Sequence, residues 1–498
     1  LPKLQEYNSY FYGNSRKHMK LSHQITYIVL SILSKWLSLM SREGRDKLAI
    51  RIARLAYYHY PVRKDQAQGN LQLALPKKSQ AYRDEILKKC TLFFARNFIQ
   101  FMSLPNSYHT AHIIVHGKNI LDDALHQGKG VVLVTGHFGS WEMLASWLGY
   151  NRYAFKGVAF RQKNLGANKF FLKQRELSGI QHIDRRSSLE KMYDVLNQGK
   201  ILGLVSDQDQ KYRGVFVDFF GQPASTAKGA ARFHLATGAP IVFITCHYEN
   251  KHTYVIDIEP ISVEGENDIF NITQSFTSHL EDKIRLFPEQ YFWFHRRWKT
   301  KKPSCHRVNV NQPDAIQKAA DTIRKGGIIA YPTDTLYGFG VDVRNSKAVQ
   351  RLCRIKGRGG PWSIVVSDLT MLQQYAKIPN GKKTYLDTQL PGKVTFILPA
   401  VKSDISPLLL GNNETVGIRL PAYSFPTELV RNLGYPITST SVNRTGEKAI
   451  NNPYKIIKEF GFEIDLIINA GTLPPSEGSQ IIDISTTEEQ ILRNGDTG

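Results

Sequence analysis

The sequence predicts an α/β protein of two domains, the first preceded by a helical region. Three observations carry that expectation. At 498 residues the chain is too long for one ordinary hydrophobic core. Apolar residues first recur at helical spacing, and from Gly130 onward short β-rich runs alternate with helical stretches. That alternation breaks once, at the aperiodic, proline-punctuated KKPSCHRVNVNQPD (Lys301–Asp314), which reads as a linker, and then resumes.

Composition places the chain among globular proteins, with 42% hydrophobic and 22% charged residues. The net charge of +22 is unevenly spread. Residues 305–498 hold 22 basic and 18 acidic side chains, leaving 43 against 25 for the first 304 residues. The N-terminal part is therefore built to meet an anionic surface, such as the phosphates of a lipid or a nucleic acid. Cys90, Cys246, Cys305 and Cys353 are far apart and form no CxxC pair. That argues against a zinc site or disulfide framework and fits a reducing compartment with thiols packed as small hydrophobes.

Taken in order, residues 1–19 read as an uncertain extension, because position 1 is Leu and Met19 is a candidate initiator. Ile25–Met40 (ITYIVLSILSKWLSLM) is apolar but broken by Lys35 and serines, and it is shorter than the ~20 apolar residues of a spanning helix. Basic residues flank it (Arg16, Lys17, Lys20; Arg42, Arg45, Lys47), so a helix lying at or dipping into the cytoplasmic face of a membrane is expected. LAIRIARLAYYHY and EILKKCTLFFARNFIQFM continue as helices. VVLVT, YAFKGVAF, ILGLVS, IVFITCHY and YVIDIEP read as strands, with helices at Asn168–Ser178, Ser188–Gln198 and Lys228–Thr237. After the linker come helix Ala315–Lys325, strand GIIAYPT and helix Ser346–Arg354. The strands SIVVSD, VTFIL, VGIRLP, ITSTS, LIINAG and IIDIS follow.

The first chemical signature is VVLVTGHFGSWE (Val131–Glu142). His137 should sit at the carboxyl end of a central strand, where open α/β sheets bind ligands. Gly136 and Gly139 permit a tight backbone path, and Ser140 can cap a helix over Trp141–Leu148. Glu142, in the first turns of that helix, can orient His137 and favour its protonated form. Such a pair suits deprotonating a hydroxyl that attacks an acyl carbonyl. The segment resembles the Hxxxx(D/E) motif of the LpxL/HtrB-type late acyltransferases of lipid A biosynthesis. VAFRQKNLGANKFF (Val158–Phe171), Ser206–Val242 with its Asp-Gln and FFG, and QYFWFHRRWKT (Gln290–Thr300) resemble further blocks of that family in order. The resemblance spans residues 20–302. It implies His137 as general base with Glu142 as partner, Arg161 as a substrate contact, and Asp207 and Gln208 as pocket residues. It further implies acyl carrier protein as donor, a phosphorylated glycolipid as acceptor, and a membrane surface as the place of work.

The second signature is YPTDTLYGFG (Tyr331–Gly340), with KGR at Lys356–Arg358 and STSVN at Ser439–Asn443. Thr333 and Thr335 offer hydroxyls, Lys356 and Arg358 flank a glycine as a cationic clamp for phosphate or carboxylate, and Ser441 and Asn443 can complete it. With PGKVTFIL, VGIRLP and ILRNG in order, residues 312–498 resemble the YrdC-like threonylcarbamoyl-AMP synthases. That resemblance implies a twisted-sheet α/β domain that joins threonine, bicarbonate and ATP, with Mg²⁺, into threonylcarbamoyl-adenylate for tRNA modification. Thr335, Arg419, Ser441 and Asn443 would hold the adenylate, and Lys356 and Arg358 the phosphates or the threonine carboxylate. Two departures stand out: the loop Gly359–Trp362 is short and lacks a second lysine, and Ser479–Gln480 replaces a Ser-Thr pair.

The expected organisation is an extension (1–19), an acyltransferase domain (20–302), a linker (303–311) and a YrdC-like domain (312–498). The expected function is bifunctional. Two alternatives stay open: a second domain that binds nucleotide, tRNA or double-stranded RNA without synthesis, and an artificial join of two neighbouring genes.

Overall fold

A computed structural model describes residues 20–59, 63–250, 253–263, 265–401, 404–486 and 488–496. The extension 1–19 lies outside the described residues. The chain divides into two compact units, Leu1–Lys302 and Pro303–Gly498.

The first unit begins with helices Leu21–Leu39, Arg42–Tyr58, Lys64–Ala74 and Gln80–Met102. The strands that follow are β1 (His112–His116), β2 (Val131–Thr135), β3 (Phe155–Ala159), β4 (Gln181–Asp184), β5 (Ile201–Val205), β6 (Val215–Phe219), β7 (Gln222–Thr226), β8 (Ile241–Asn250) and β9 (Thr253–Pro260). Seven of them form one sheet in the order β1-β9-β8-β2-β5-β3-β4, parallel except for the β8–β9 pairing. All five residues of β2 are buried, as both-face coverage demands. Val132 and Val134 join Ala230, Phe233, Ile272 and Phe276 on one face, while Val131 and Leu133 meet Leu121, Leu144 and Trp147 on the other. β6 and β7 form a separate hairpin whose turn residues, Phe220 (φ 58°) and Gly221 (φ 71°), adopt the doubly left-handed backbone of a tight two-residue loop.

Helix Leu21–Leu39 packs against helix Leu165–Glu176, and Gly166 makes the approach possible because a Cβ there would collide with the His23 carbonyl. Its inner face contributes Leu37, with Tyr27, Leu30 and Leu33, to a core with Ile99, Phe101, Met102 and Phe170. Leu21, Ile25, Ile28, Val29, Ile32, Trp36 and Leu39 are exposed on the opposite side. Among the described residues, no helix is long and apolar enough to cross a membrane.

Among its described residues the second unit holds ten strands: β10 (His306–Asn309), β11 (Ile329–Pro332), β12 (Tyr337–Gly340), β13 (Ser363–Val365), β14 (Val394–Pro399), β15 (Thr415–Arg419), β16 (Ile437–Ser441), β17 (Leu466–Asn469), β18 (Gln480–Asp483) and β19 (Gln490–Arg493). They form one mixed sheet in the order β10-β17-β11-β12-β16-β13-β15-β14-β18-β19. β10 corrects the linker expected over 303–311. HRVN pairs in parallel with Leu466–Asn469 and is invisible locally because only Val308 of its four residues is buried.

Candidate functional site

In the first unit, His137 lies two residues beyond the central strand β2, where the neighbours on either side, β5 and β8, diverge in chain order. The Ser206 amide donates to the Thr135 carbonyl (2.9 Å), so β2 and β5 end level and Asp207 comes alongside His137. The loop after β2 is laced to the segment 290–292: Phe292 donates to the His137 carbonyl and Gly139 to the Gln290 carbonyl, both at 2.9 Å. Gly139 has φ 62°, and a Cβ there would strike the Cys246 carbonyl, so this position requires glycine. Ser140 stands at the start of helix Trp141–Tyr150, but its side chain makes no capping bond.

The hydrogen bond that orients His137 comes from Asp207, not Glu142. His137 Nδ1 meets Asp207 Oδ1 at 2.7 Å, and the Asp207 side chain is 1% exposed. Burial works against a charged imidazole, yet the Asp207 carboxylate, with a smaller contribution from Glu142, raises the His137 pKa above its ordinary value. Burial likewise opposes the Asp207 charge, but His137 pulls its pKa well below the usual carboxylate range. Gln208 Nε2 lies 3.3 Å from His137 Nε2, the ring nitrogen that Asp207 does not engage.

Glu142 is instead gripped by Arg175, with Nε to Oε2 at 2.9 Å and Nη2 to Oε1 at 2.6 Å, and Trp141 Nε1 donates to it at 3.2 Å. A buried carboxylate takes the nearest full charge, and helix Leu165–Glu176 supplies one. The pairing overcomes the burial that opposes both charges, holding Glu142 below and Arg175 above their ordinary values. Arg161, expected as a substrate contact, is exposed and its side chain has no partner among the described residues. Sequence reasoning missed Arg175 altogether, since nothing in its spacing marks it.

His295, within the quoted FWFHRRW, was also missed. It is buried, its ring centroid is 6.1 Å from that of His137, and its Nε2 lies 2.9 Å from the Tyr291 hydroxyl. Burial, only partly offset by Asp207, lowers its pKa to about 4, so it is neutral at physiological pH. Ligand atoms of His137, Asp207 and His295 all lie within 4.8 Å of one another. The short contact between His137 and Asp207 makes the arrangement an acid–base couple in aromatic surroundings, with Trp141 and Phe292 beside the imidazole.

In the second unit, helix Ser346–Lys356 ends on Gly357 in the left-handed conformation (φ 73°). That turn separates the two cations expected to form one clamp. Lys356 points inward and is 3% exposed, while Arg358 is exposed and its side chain has no partner among the described residues. Lys356 Nζ donates to the Ser441 carbonyl (2.8 Å) and to Asn443 Oδ1 (2.6 Å), and the Ser441 hydroxyl shares Asn443 Oδ1 at 2.7 Å. The lysine thus meets only neutral acceptors. Burial, aided by the nearby Arg358 charge, lowers its pKa to about 8.

Thr333, Thr335 and Arg419 form a neighbouring cluster. Arg419 donates to Thr335 Oγ1 (2.9 Å) and Thr333 Oγ1 (3.4 Å) and is ion-paired with Asp334. Asp334 also accepts from the Ala422 amide at 2.9 Å. This carboxylate, inside the quoted YPTDT, was not singled out from sequence. Mg²⁺ prefers oxygen ligands, and Asp334 is already committed, so the cluster offers it no free carboxylate.

A parallel-rich sheet with a His–Asp couple at a strand end is thus followed by a mixed sheet carrying a buried lysine, in a two-domain α/β protein. The chain belongs to the bacterial lipid A biosynthesis acyltransferase family, whose pattern matches residues 13–300. Its second domain belongs to the Sua5/YciO/YrdC family, described as "Telomere recombination", which matches residues 321–495. Threonylcarbamoyl-AMP synthase of Nitrosococcus oceani is 33% identical over 171 residues, 34% of this chain and 92% of that protein. The uncharacterised protein YciO of Escherichia coli K12 is 32% identical over 187 residues, 37% of this chain and 90% of its own length. The crystal structure of E. coli YciO is 30% identical across 38% of this chain and 93% of that one, with a TM-score of 0.36.

Proposed function

We propose that the first domain transfers an acyl group from an acyl carrier protein thioester to a hydroxyl of a phosphorylated glycolipid. The observation that carries this reading is the His137–Asp207 couple at 2.7 Å at the end of β2. His137 Nε2 takes the hydroxyl proton as the oxygen attacks the thioester carbonyl, while Nδ1–H stays on Asp207, whose charge stabilises the imidazolium. The tetrahedral intermediate then expels the thiolate, which recovers the proton from Nε2. The Gln208 amide, beside Nε2, is a donor for the developing oxyanion. Glu142 and Arg175 brace the helix that follows His137.

The exposed apolar stripe of helix Leu21–Leu39, together with the exposed Lys47, Arg51 and Arg54 of the next helix, supports work at the cytoplasmic face of the inner membrane. The acyltransferase reading is tested with purified protein, acylated carrier protein and a phosphorylated glycolipid in detergent. Transfer that survives His137→Ala would refute it.

For the second domain we infer synthesis of threonylcarbamoyl-AMP from threonine, bicarbonate and ATP, with Mg²⁺ entering as part of the nucleotide substrate. The buried, charge-uncompensated Lys356 carries this reading, because its ammonium is free to offset a phosphate or carboxylate. Purified protein should release pyrophosphate only when threonine and bicarbonate accompany ATP. The short, lysine-free Gly359–Trp362 loop favours a second reading, a domain that binds nucleotide or RNA without synthesis. Nucleotide binding without pyrophosphate release would select it.

A further inference from the structure

The first unit carries a cleft of about 720 Å³ beyond the residues named above. Four amide side chains (Gln66, Asn70, Gln72 and Gln222), two cations (Arg296 and Lys299) and the indole of Trp298 line it. No acidic side chain does so among the described residues. Neither cation has a side-chain partner among them, and Trp298 Nε1 is a buried donor without an acceptor. The lining therefore combines neutral donors and acceptors, a flat apolar ring and unspent positive charge in a volume ordinary for small ligands.

The floor of the cleft is tied to the centre already described. Asn70, which also lines it and is 2% exposed, donates through Nδ2 to the carbonyls of Trp293 (2.7 Å) and His295 (2.6 Å). Arg296 directly follows His295, whose ring is 6.1 Å from that of His137. A ligand in the cleft would thus be registered against the His137–Asp207 couple through a rigid hydrogen-bonded segment.

We propose that this cleft binds a sugar phosphate. Amides pair with hydroxyls whichever way those point, the indole, one face of which stacks on Phe219 at 5.5 Å, offers its remaining surface to the apolar face of a pyranose ring, and Arg296 with Lys299 holds the phosphate. The ligand is either a soluble sugar phosphate or the phosphorylated sugar headgroup of a lipid. The second case rests on the acyl-acceptor reading above and would make the cleft the headgroup subsite of that acceptor.

The test uses the full chain. Ligand-observed saturation-transfer NMR at low salt compares glucose 1-phosphate, glucose and inorganic phosphate. Glucose 1-phosphate should bind at least about tenfold tighter than either fragment and weaken as salt is raised. The Arg296→Ala/Lys299→Ala variant should lose that preference about tenfold while its circular dichroism and melting match the parent. Equal binding of glucose, or undiminished binding in the folded double variant, overturns the proposal. If the double variant does not fold, Lys299→Gln and Trp298→Phe are read the same way. In a second arm, a detergent-dispersed phosphorylated glycolipid competes with glucose 1-phosphate if the source is a lipid headgroup and fails to compete if it is soluble. Where acyl transfer is measurable, the double variant should raise acceptor KM about tenfold with kcat within twofold. Absent acyl transfer in the parent removes the acceptor reading, while the NMR arm still decides the cleft.

Discussion

Replacing Asp207 with Asn removes one charge from beside His137 while keeping a side chain of the same shape. At about 4 Å and an effective dielectric of about 20, a carboxylate is worth about 4 kcal/mol to the imidazolium. Burial opposes the charged imidazole, so without Asp207 the His137 pKa should fall from above its ordinary value to below it. In a pH profile of acyl-transfer kcat/KM, the acid limb should move to lower pH. The plateau should drop about 10²–10³-fold, because the imidazolium formed during proton transfer loses its counter-charge. Stability follows the same linkage. The raised His137 pKa gives stability present below the ordinary value of 6.5 and lost as pH rises through the folded value. The lowered Asp207 pKa gives stability present above 3.8 and lost as pH falls through the folded value. Asp207→Asn should therefore destabilise most between about pH 4 and the raised His137 pKa. Glu142→Gln is the control. It strands Arg175 and should cost about 3–5 kcal/mol by denaturant melting, yet shift the acid limb by less. An unmoved limb in Asp207→Asn, or a larger movement in Glu142→Gln, would refute the assignment of Asp207 as the orienting group.

Three further outcomes are expected. Lys356→Met should raise the KM for ATP or threonine about tenfold or more in a pyrophosphate-release assay. In the parent, anion affinity should fall as pH rises through about 8, where Lys356 loses its charge. Arg419→Met leaves Asp334 as an uncompensated buried charge, since the two side chains are only 6% and 7% exposed. The melting transition of the second domain should reflect a loss of about 3–5 kcal/mol, and undisturbed melting would count against a structural role for that pair. Ile28→Glu with Ile32→Glu, both on the outward face of helix Leu21–Leu39, should abolish sedimentation with anionic vesicles and leave the melting curve unchanged. Retained sedimentation would move the membrane contact elsewhere.

The periodicity of the chain made most elements legible. VVLVT reads as a central strand and is one, because a strand covered on both faces needs a continuous apolar run, here Val131–Val134 with Thr135 buried at its end. Helices at 229–237 and 315–324 lie where amphipathic spacing put them. The exposed face of helix Leu21–Leu39 was likewise written in its flanking charges and apolar run. β10 was illegible because three of its four residues face solvent, so no local pattern separates it from a linker.

The sites divide along the same line. The sequence alone determined which residue types stand as candidates for chemistry: a histidine after a buried strand, an aspartate with a glutamine, and a lysine at a helix end. Only the tertiary structure decided how they pair. Asp207 is 70 positions from His137, and it became the partner because β2 and β5 are parallel neighbours that end level. Glu142, five positions away, was turned toward Arg175 by its helix. Lys356 and Arg358 are two positions apart, yet one left-handed glycine sends them to a buried and an exposed place. Local spacing sets which side chains share a segment; strand register and helix packing set which charges meet, because a buried charge takes the partner that the fold brings within hydrogen-bond reach.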